Sequence, residues 1–410
     1  MTTHHQLITF LTDHRPQLTD FCARLVQTPS VNGVDPERPV AELIAAEAAR
    51  LGLPAQLLGL QPERPNVVVS TAESGPTGLL LVGHTDTVPP GNPAHWTHPP
   101  FGGQIDGGRL FGRGAIDNKG GIAAALYALA ALKTTGALAG SRAQFIGVPD
   151  EESGATGTLG VKFLAGQGLI SAPGGIYVYP GLDELPIGHR GVTRFKVTAA
   201  GRAGHTGISG QIGQPPPGEN AVLAMANLLL ELERTPLPLS AIPYFDRFAA
   251  VINPGTVISG GVNINIVPDS CEALVDVRTI PEFDRPQAET ALQQAIARVA
   301  SRRPAVRFEL ELLTQLPPVL SNPAAPLFAC VQQAAQQVTG AVPPKVVCGP
   351  ANEGYLFIEQ GIPLVCGFGP TGANAHGVDE YVDLDSLTDA ALIYALTAVQ
   401  LAAHLPEETY

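Results

Sequence analysis

No CxxC pair occurs in this sequence, and its five cysteines (Cys22, Cys271, Cys330, Cys348 and Cys366) are widely spaced and odd in number. That argues against both a disulfide framework and a thiolate zinc site. Basic residues are scarce: 24 Lys and Arg face 37 Asp and Glu, for a net charge of -13. Nucleic acid and anionic membrane surfaces are therefore disfavoured as partners. No apolar run approaches the ~18 residues that cross a bilayer. The N-terminus, MTTHHQLITF, lacks the basic segment and apolar stretch of a signal peptide. The expectation is a cytoplasmic protein.

What is present suits a packed globular protein: 45% of the residues are hydrophobic and 15% charged. At 410 residues the chain exceeds what one core supports, so two domains are expected. Short buried strands at Asn66–Ser70, Gly78–Gly83, Gln144–Val148 and Ile176–Tyr179 alternate with helical segments. The longest of these is an alanine-rich helix from about Lys119 to Lys133, with Gly136 as its stop. This order predicts an α/β domain with a mixed, mainly parallel sheet covered on both faces. From about residue 188 the strands alternate polar and apolar residues, and the buried style returns near residue 315. An α+β domain at 188–314 is thus expected as an insertion in a discontinuous domain of 1–187 and 315–410.

Four clusters of chemically able residues stand at predicted strand ends, where open α/β sheets place ligands. His84 closes a buried strand, with Asp86 within reach of its other ring nitrogen; a metal ligand oriented by a carboxylate and a structural histidine are both open readings. Asp117 precedes the long helix, as a cap or as a ligand. Asp150, Glu151 and Glu152 follow a buried strand, and three adjacent acids repel one another unless a positive charge lies near. They form either a solvated turn or a cation ligand beside a proton acceptor. His376 sits in a late glycine-rich loop. Jointly these residues make a nitrogen and oxygen donor set for zinc or a similar divalent ion. No G-x-S-x-G elbow follows a predicted strand.

The segments GHTDTVPPG (83–91), GRGAIDNKGG (112–121), PDEESG (149–154), GHRG (188–191), AGHTG (203–207), NIVP (265–268), DVRTIP (276–281) and AHGVDEYV (375–382) resemble the M20 metallopeptidase family in order and content. The resemblance implies a two-metal catalytic domain with an inserted ferredoxin-like lid that also dimerises. It implies that Asp117 bridges the ions, His84 binds one, and Glu152 and His376 bind the other. Glu151 is then the general base, Asp86 the residue that orients His84, and His205 a lid histidine that steadies the oxyanion. Asn265 and Arg278 resemble lid residues that grip a substrate carboxylate. The implied activity is hydrolysis of an amide in an N-acyl amino acid or short peptide by metal-activated water. Carboxypeptidase, dipeptidase and non-catalytic relatives are the alternatives. One or two ions per chain, zinc with cobalt or manganese as substitutes, and a homodimer are the implied cofactors and assembly. Three positions depart from the family: Tyr179 stands where a further metal acid is usual, with Asp183 or Glu184 as substitutes. Asn118 replaces a frequent Met, and Ala351–Tyr355 replaces a Gly-Thr-Asp-like loop.

Overall fold

The computed structural model of the chain describes residues 2–138, 140–208, 212–213 and 217–404. The last part of the expected catalytic segment, 405–410, lies outside the described residues. The chain forms two compact units, one of Met1–His189, Leu320–Cys348 and Asn352–Tyr410, the other of Arg190–Val319 with Gly349–Ala351.

The first unit is built on a six-stranded sheet in the order Ala55–Leu58, Asn66–Ser70, Arg142–Val148, Thr77–His84, Gly175–Tyr177, Leu364–Val365. The first two pairings are antiparallel and the remaining three parallel. This is the mixed, mainly parallel α/β sheet that the strand and helix order indicated. Every residue of Thr77–His84 is buried, as a central strand covered on both faces requires. The helix Gly120–Thr135 packs against Leu384–Ala402, Thr3–Asp13 and Arg15–Val26. Its residues Gly120–Leu132 are all buried, which suits a helix that is apolar all round. Gly136 ends it with φ of +62°, a left-handed turn that glycine adopts without steric cost.

Some elements differ from the sequence reading. The strand Leu185–His189, with Pro186 and Gly188 in it, pairs with Lys345–Cys348 and lies in a small sheet with Val319–Leu320. Its proline and glycine disguise it as loop. A further sheet joins Gln104–Asp106, Arg109–Phe111, Tyr381–Asp383 and Gly372–Ala373. Its strands of two or three residues are too short to show a period. That sheet ties the late glycine-rich loop to the segment preceding Asp117.

The second unit has a four-stranded antiparallel sheet in the order Val251–Gly260, Ser270–Thr279, Gly191–Ala200, Arg307–Leu316. Burial alternates along Ser270–Thr279. The helices Ala221–Glu233 and Arg285–Arg302 pack on each other and on the sheet. Asn220 caps the first of them by accepting from the Leu223 amide at 2.9 Å.

The start of the long helix abuts the end of a sheet strand at Gly121. A Cβ there would stand 1.9 Å from the Val178 carbonyl oxygen, so no side chain fits without moving the backbone. Gly121→Ala is expected to destabilise by about 3 kcal/mol, the upper range of overpacking, read as a lowered urea midpoint. Gly166, where a Cβ meets nothing within 4 Å, is the control. Its alanine variant should be neutral or slightly stabilised; equal losses at both positions would refute the packing argument.

Candidate functional site

Parallel pairing of Thr77–His84 with Arg142–Val148 places His84 directly beside Val148. The acidic turn Asp150–Glu152 therefore leaves the sheet next to the histidine, at the carboxyl edge. Asp150 takes a left-handed conformation, φ 69°, and a single 3-10 turn, Glu151–Ser153, follows. Asp86 organises this edge. Its carboxylate accepts from the Glu151 amide at 3.3 Å, the Glu152 amide at 3.0 Å and the Asn32 side-chain amide at 2.6 Å. The His84 Nδ1–H is oriented by the Asp86 main-chain oxygen at 2.9 Å, with the carboxylate farther away at 3.5 Å. Asp86 thus orients His84 chiefly through its carbonyl, whereas its side chain clamps the acidic turn.

Asp117 lies in a tight turn, Ala115–Lys119, just before the long helix. Glu380, fully buried, accepts from the Ile116 amide at 3.0 Å and the Asp117 amide at 3.1 Å. Arg113 pairs with Glu380 and donates to the Gly377 carbonyl at 3.0 Å. This buried pair links the Asp117 turn to the loop bearing His376, itself at φ +62°. Sequence reasoning missed Asn32 and Glu380 as site residues. Asn32 carries no local signal, and Glu380 stands within a recognised segment without an assigned task.

The result is a convergence of donors. His84 Nε2 lies 3.0 Å from Asp117 Oδ1, while His376 Nε2 lies 3.3 Å from Asp117 Oδ2 and 3.0 Å from Glu152 Oε1. Ligand atoms of His84, Asp117 and Glu152 all fall within 4.8 Å of one another. The two oxygens of Asp117 face different histidines, so the carboxylate is placed to bridge.

Burial opposes charge on His84, yet Asp117 and Asp86 raise its pKa well above the usual histidine range. Asp117 and Glu152 lift His376 to about 10 against the opposing effect of burial. Burial likewise works against ionisation of Asp117, but His376 and His84 hold it well below the usual carboxylate range. Each imidazole thus faces a carboxylate that favours its charged form. The two-nitrogen, carboxylate-rich set fits a divalent ion.

Glu151 is nearly buried, and burial pushes its carboxyl up to about 8, with Glu152 and Asp86 adding to the rise and His84 opposing it. Tyr179 stands beside His84, ring centroids 5.4 Å apart. Asp183 and Glu184 are both exposed, and among the described residues neither belongs to the converging group.

His205, Asn265 and Arg278 belong to the second unit. His205 and Asn265 come together there: Gly204–His205 pairs with Ile266–Val267, and the Thr206 amide donates to the Asn265 carbonyl at 3.1 Å. The His205 Nδ1 accepts from the Gly207 amide at 2.9 Å, which leaves Nε2 as the donor nitrogen of this exposed ring. Arg278 is on Ser270–Thr279 and is bound to Asp276 at 2.8 Å; Asp276 also takes Arg194 at 3.1 Å.

The sequence profile of peptidase family M20/M25/M40 matches residues 80–400. A succinyl-diaminopimelate desuccinylase of Methylobacterium sp. (strain 4-46) is 32% identical over 328 residues, covering 77% of this chain and 78% of that protein. Among solved structures, a di-peptidase from Saccharomyces cerevisiae superposes with a TM-score of 0.76 at 16% identity, over 99% of this chain and 100% of that one. A dinuclear metal-binding peptidase of the M20 family from Bacillus subtilis gives 0.69 at 18% identity, over 96% and 100%. At such identities the structural likeness speaks for the fold.

The raised histidines set a proton count. Their stabilising contacts with carboxylates are complete below the ordinary histidine pKa of ~6.5. For His376 they are lost as pH rises through about 10. A divalent ion needs both imidazoles unprotonated, so its uptake at neutral pH should release about two protons. Calorimetric titration of ion-free protein in buffers of different ionisation heats measures this number. Uptake without proton release would show that the rings are not the groups the ion displaces.

Proposed function

Because this chain belongs to peptidase family M20/M25/M40, we propose that it hydrolyses the amide bond of an N-acyl amino acid or short peptide, with Glu151 as general base. The observation that supports this most is the placement of Glu151. It is a nearly buried carboxyl with raised proton affinity, adjacent in sequence to Glu152 and near His84 and Asp86. Such a group takes a proton near neutral pH and can return it.

His84 and one oxygen of Asp117 would hold one divalent ion, and the other oxygen with Glu152 and His376 a second. A bound divalent ion supplies Lewis acidity, lowering the pKa of water and polarising the scissile carbonyl. We assign zinc on the nitrogen and oxygen donors, with cobalt or manganese as substitutes, and one or two ions per chain. The Asp86 carboxylate holds the Glu151 and Glu152 amides, which fixes the backbone that bears both acids. Glu151 accepts the proton of the attacking water and passes it to the leaving nitrogen. His205, exposed and with Nε2 as its donor nitrogen, is the proposed donor to the oxyanion. Asn265 and Arg278 are the proposed grip on a substrate carboxylate, Arg278 through its planar fork. The desuccinylase relatives favour an N-acyl amino acid over a simple peptide.

We place the protein in the cytoplasm, consistent with cysteines that form no disulfide among the described residues; no helix among the described residues is long and apolar enough to cross a membrane. We also propose a homodimer through the second unit. Val251–Gly260 is an edge strand with Val257 and Ile258 more than half exposed. Leu223 and Leu230 are exposed on the helix that packs on it. An edge of this kind is complementary to its own copy across a two-fold axis. Val257→Arg should convert the dimer to monomer in sedimentation velocity. A wild-type chain that sediments as a monomer would end this assignment.

Glu151→Gln should lower kcat by about 10³-fold, within the range of general-base removal, while elemental analysis finds its metal content unchanged. A panel of N-acyl amino acids and dipeptides, N-succinyl compounds included, tests the substrate class. Full activity in Glu151→Gln, or failure of metal-loaded wild type on every member, would overturn the reading.

A further inference from the structure

The segment 28–35 of the first unit carries none of the donors, yet it is fastened on both sides of them. On the side of the acidic turn, Val31 and Thr87 form a parallel bridge. There the Asn32 amide donates to the Thr87 carbonyl and the Thr87 amide to the Ser30 carbonyl, each at 2.9 Å. On the side of the Asp117 turn, the fully buried Lys119 donates from Nζ to the Thr28 carbonyl at 2.7 Å. Gly114 leaves room for this, since a Cβ there would stand 2.7 Å from the Thr87 methyl and 3.2 Å from the Lys119 side chain. The segment also closes on itself. The Val31 amide donates to Asp35 Oδ2 at 3.0 Å, and the Asp35 amide returns to the Val31 carbonyl at 2.9 Å.

Asn32 is thus held by its backbone while its side chain meets Asp86. The Asp86 carboxylate, 1% exposed, has four neighbours for two oxygens. Its Oδ2 accepts from Asn32 Nδ2 at 2.6 Å and from the Glu152 amide at 3.0 Å. Its Oδ1 accepts from the Glu151 amide at 3.3 Å and stands 3.5 Å from His84 Nδ1. The Asn32 bond is the shortest of the four, and an ionised carboxylate only accepts, so the amide nitrogen must face it. The other two amides belong to the turn that Asp86 steadies. A clamp needs an anchor outside what it holds, and Asn32 supplies one from a distant part of the chain.

Resting on the assignment of Glu151 as base, we infer that Asn32 is a positioning residue: it anchors the Asp86 carboxylate from outside the acidic turn, and Asp86 in turn holds the backbone that bears Glu151 and Glu152. A side-chain amide suits this place better than a carboxylate. It donates, and it adds no charge where Asp86, Asp117, Glu151 and Glu152 already gather. Asn32 acts through Asp86 and touches neither substrate nor ion.

The test begins with Asn32→Ala, which removes the anchor. At saturating zinc, kcat should fall about 10- to 100-fold, the worth of a hydrogen bond to a charged group. KM should stay within about twofold, because substrate binding is untouched. Calorimetry on ion-free protein should find zinc bound about tenfold more weakly, since Glu152 shares the turn. Asn32→Asp keeps the shape of the side chain but sets a carboxylate against Asp86, so it should be slower than Asn32→Ala. A segment that mattered only for folding would give the reverse order, because the isosteric variant disturbs packing least. Asp35→Ala loosens the same segment without touching Asp86, and its kcat should stay within about twofold of wild type.

Wild-type kcat in Asn32→Ala would overturn the inference, and so would wild-type zinc affinity. An Asn32→Asp variant faster than Asn32→Ala would overturn it too, as would an Asp35→Ala loss equal to that of Asn32→Ala. Glu151→Gln separates this failure from that of the parent reading. An inactive Glu151→Gln beside a fully active Asn32→Ala removes only the anchor. An active Glu151→Gln removes the base and leaves the zinc affinity of Asn32→Ala to decide the anchor.

Discussion

Like charges that must share a small buried space set the terms for this fold. Asp86, Asp117, Glu151 and Glu152 all come to one edge of one sheet, and such a gathering is tolerable only with compensation. The compensation is layered. Backbone amides of Glu151 and Glu152 point at Asp86, and the amides of Ile116 and Asp117 point at Glu380. Arg113 balances Glu380, and the two histidines balance Asp117. What remains uncompensated is the place between the donors, where a divalent ion fits.

Much of this was legible in the sequence because strand ends are punctuated. His84, Asp150 and Glu152 each follow an apolar run, and the sheet's parallel register turns that linear order into proximity. The partners that hold these groups were not legible. Asn32 is 54 residues from Asp86, and Glu380 is 263 residues from Asp117; no local period or cap signature marks such pairs. Asp86 illustrates a subtler limit. A carboxylate two residues from a histidine suggested a side-chain contact, but the nearer oxygen is the main-chain one, because the residue turns its carboxylate toward two backbone amides instead. The strand at Leu185 was hidden for a different reason: its proline and glycine are tolerated where the neighbouring strand is short.

The position of Tyr179 shows how a single replacement redistributes a site. A carboxylate there would add to the negative charge around Asp117. The phenol instead stacks on Tyr177 and stands beside the His84 ring. Glu353, fully buried, is pushed toward its uncharged form by burial and by Glu151, Asp150 and Asp86.

The donors also differ in how they are mounted. His84 is fully buried on a sheet strand, and Asp117 and Glu152 have side chains only 14% and 9% exposed, whereas His376 stands on a loop with 52% of its side chain open to solvent. The cluster thus has three fixed walls and one door. The loop that carries the exposed histidine is tied to the Asp117 turn through the buried Arg113–Glu380 pair. The exposed donor is thereby held in register with the buried ones by an ion pair that stands apart from the donor cluster.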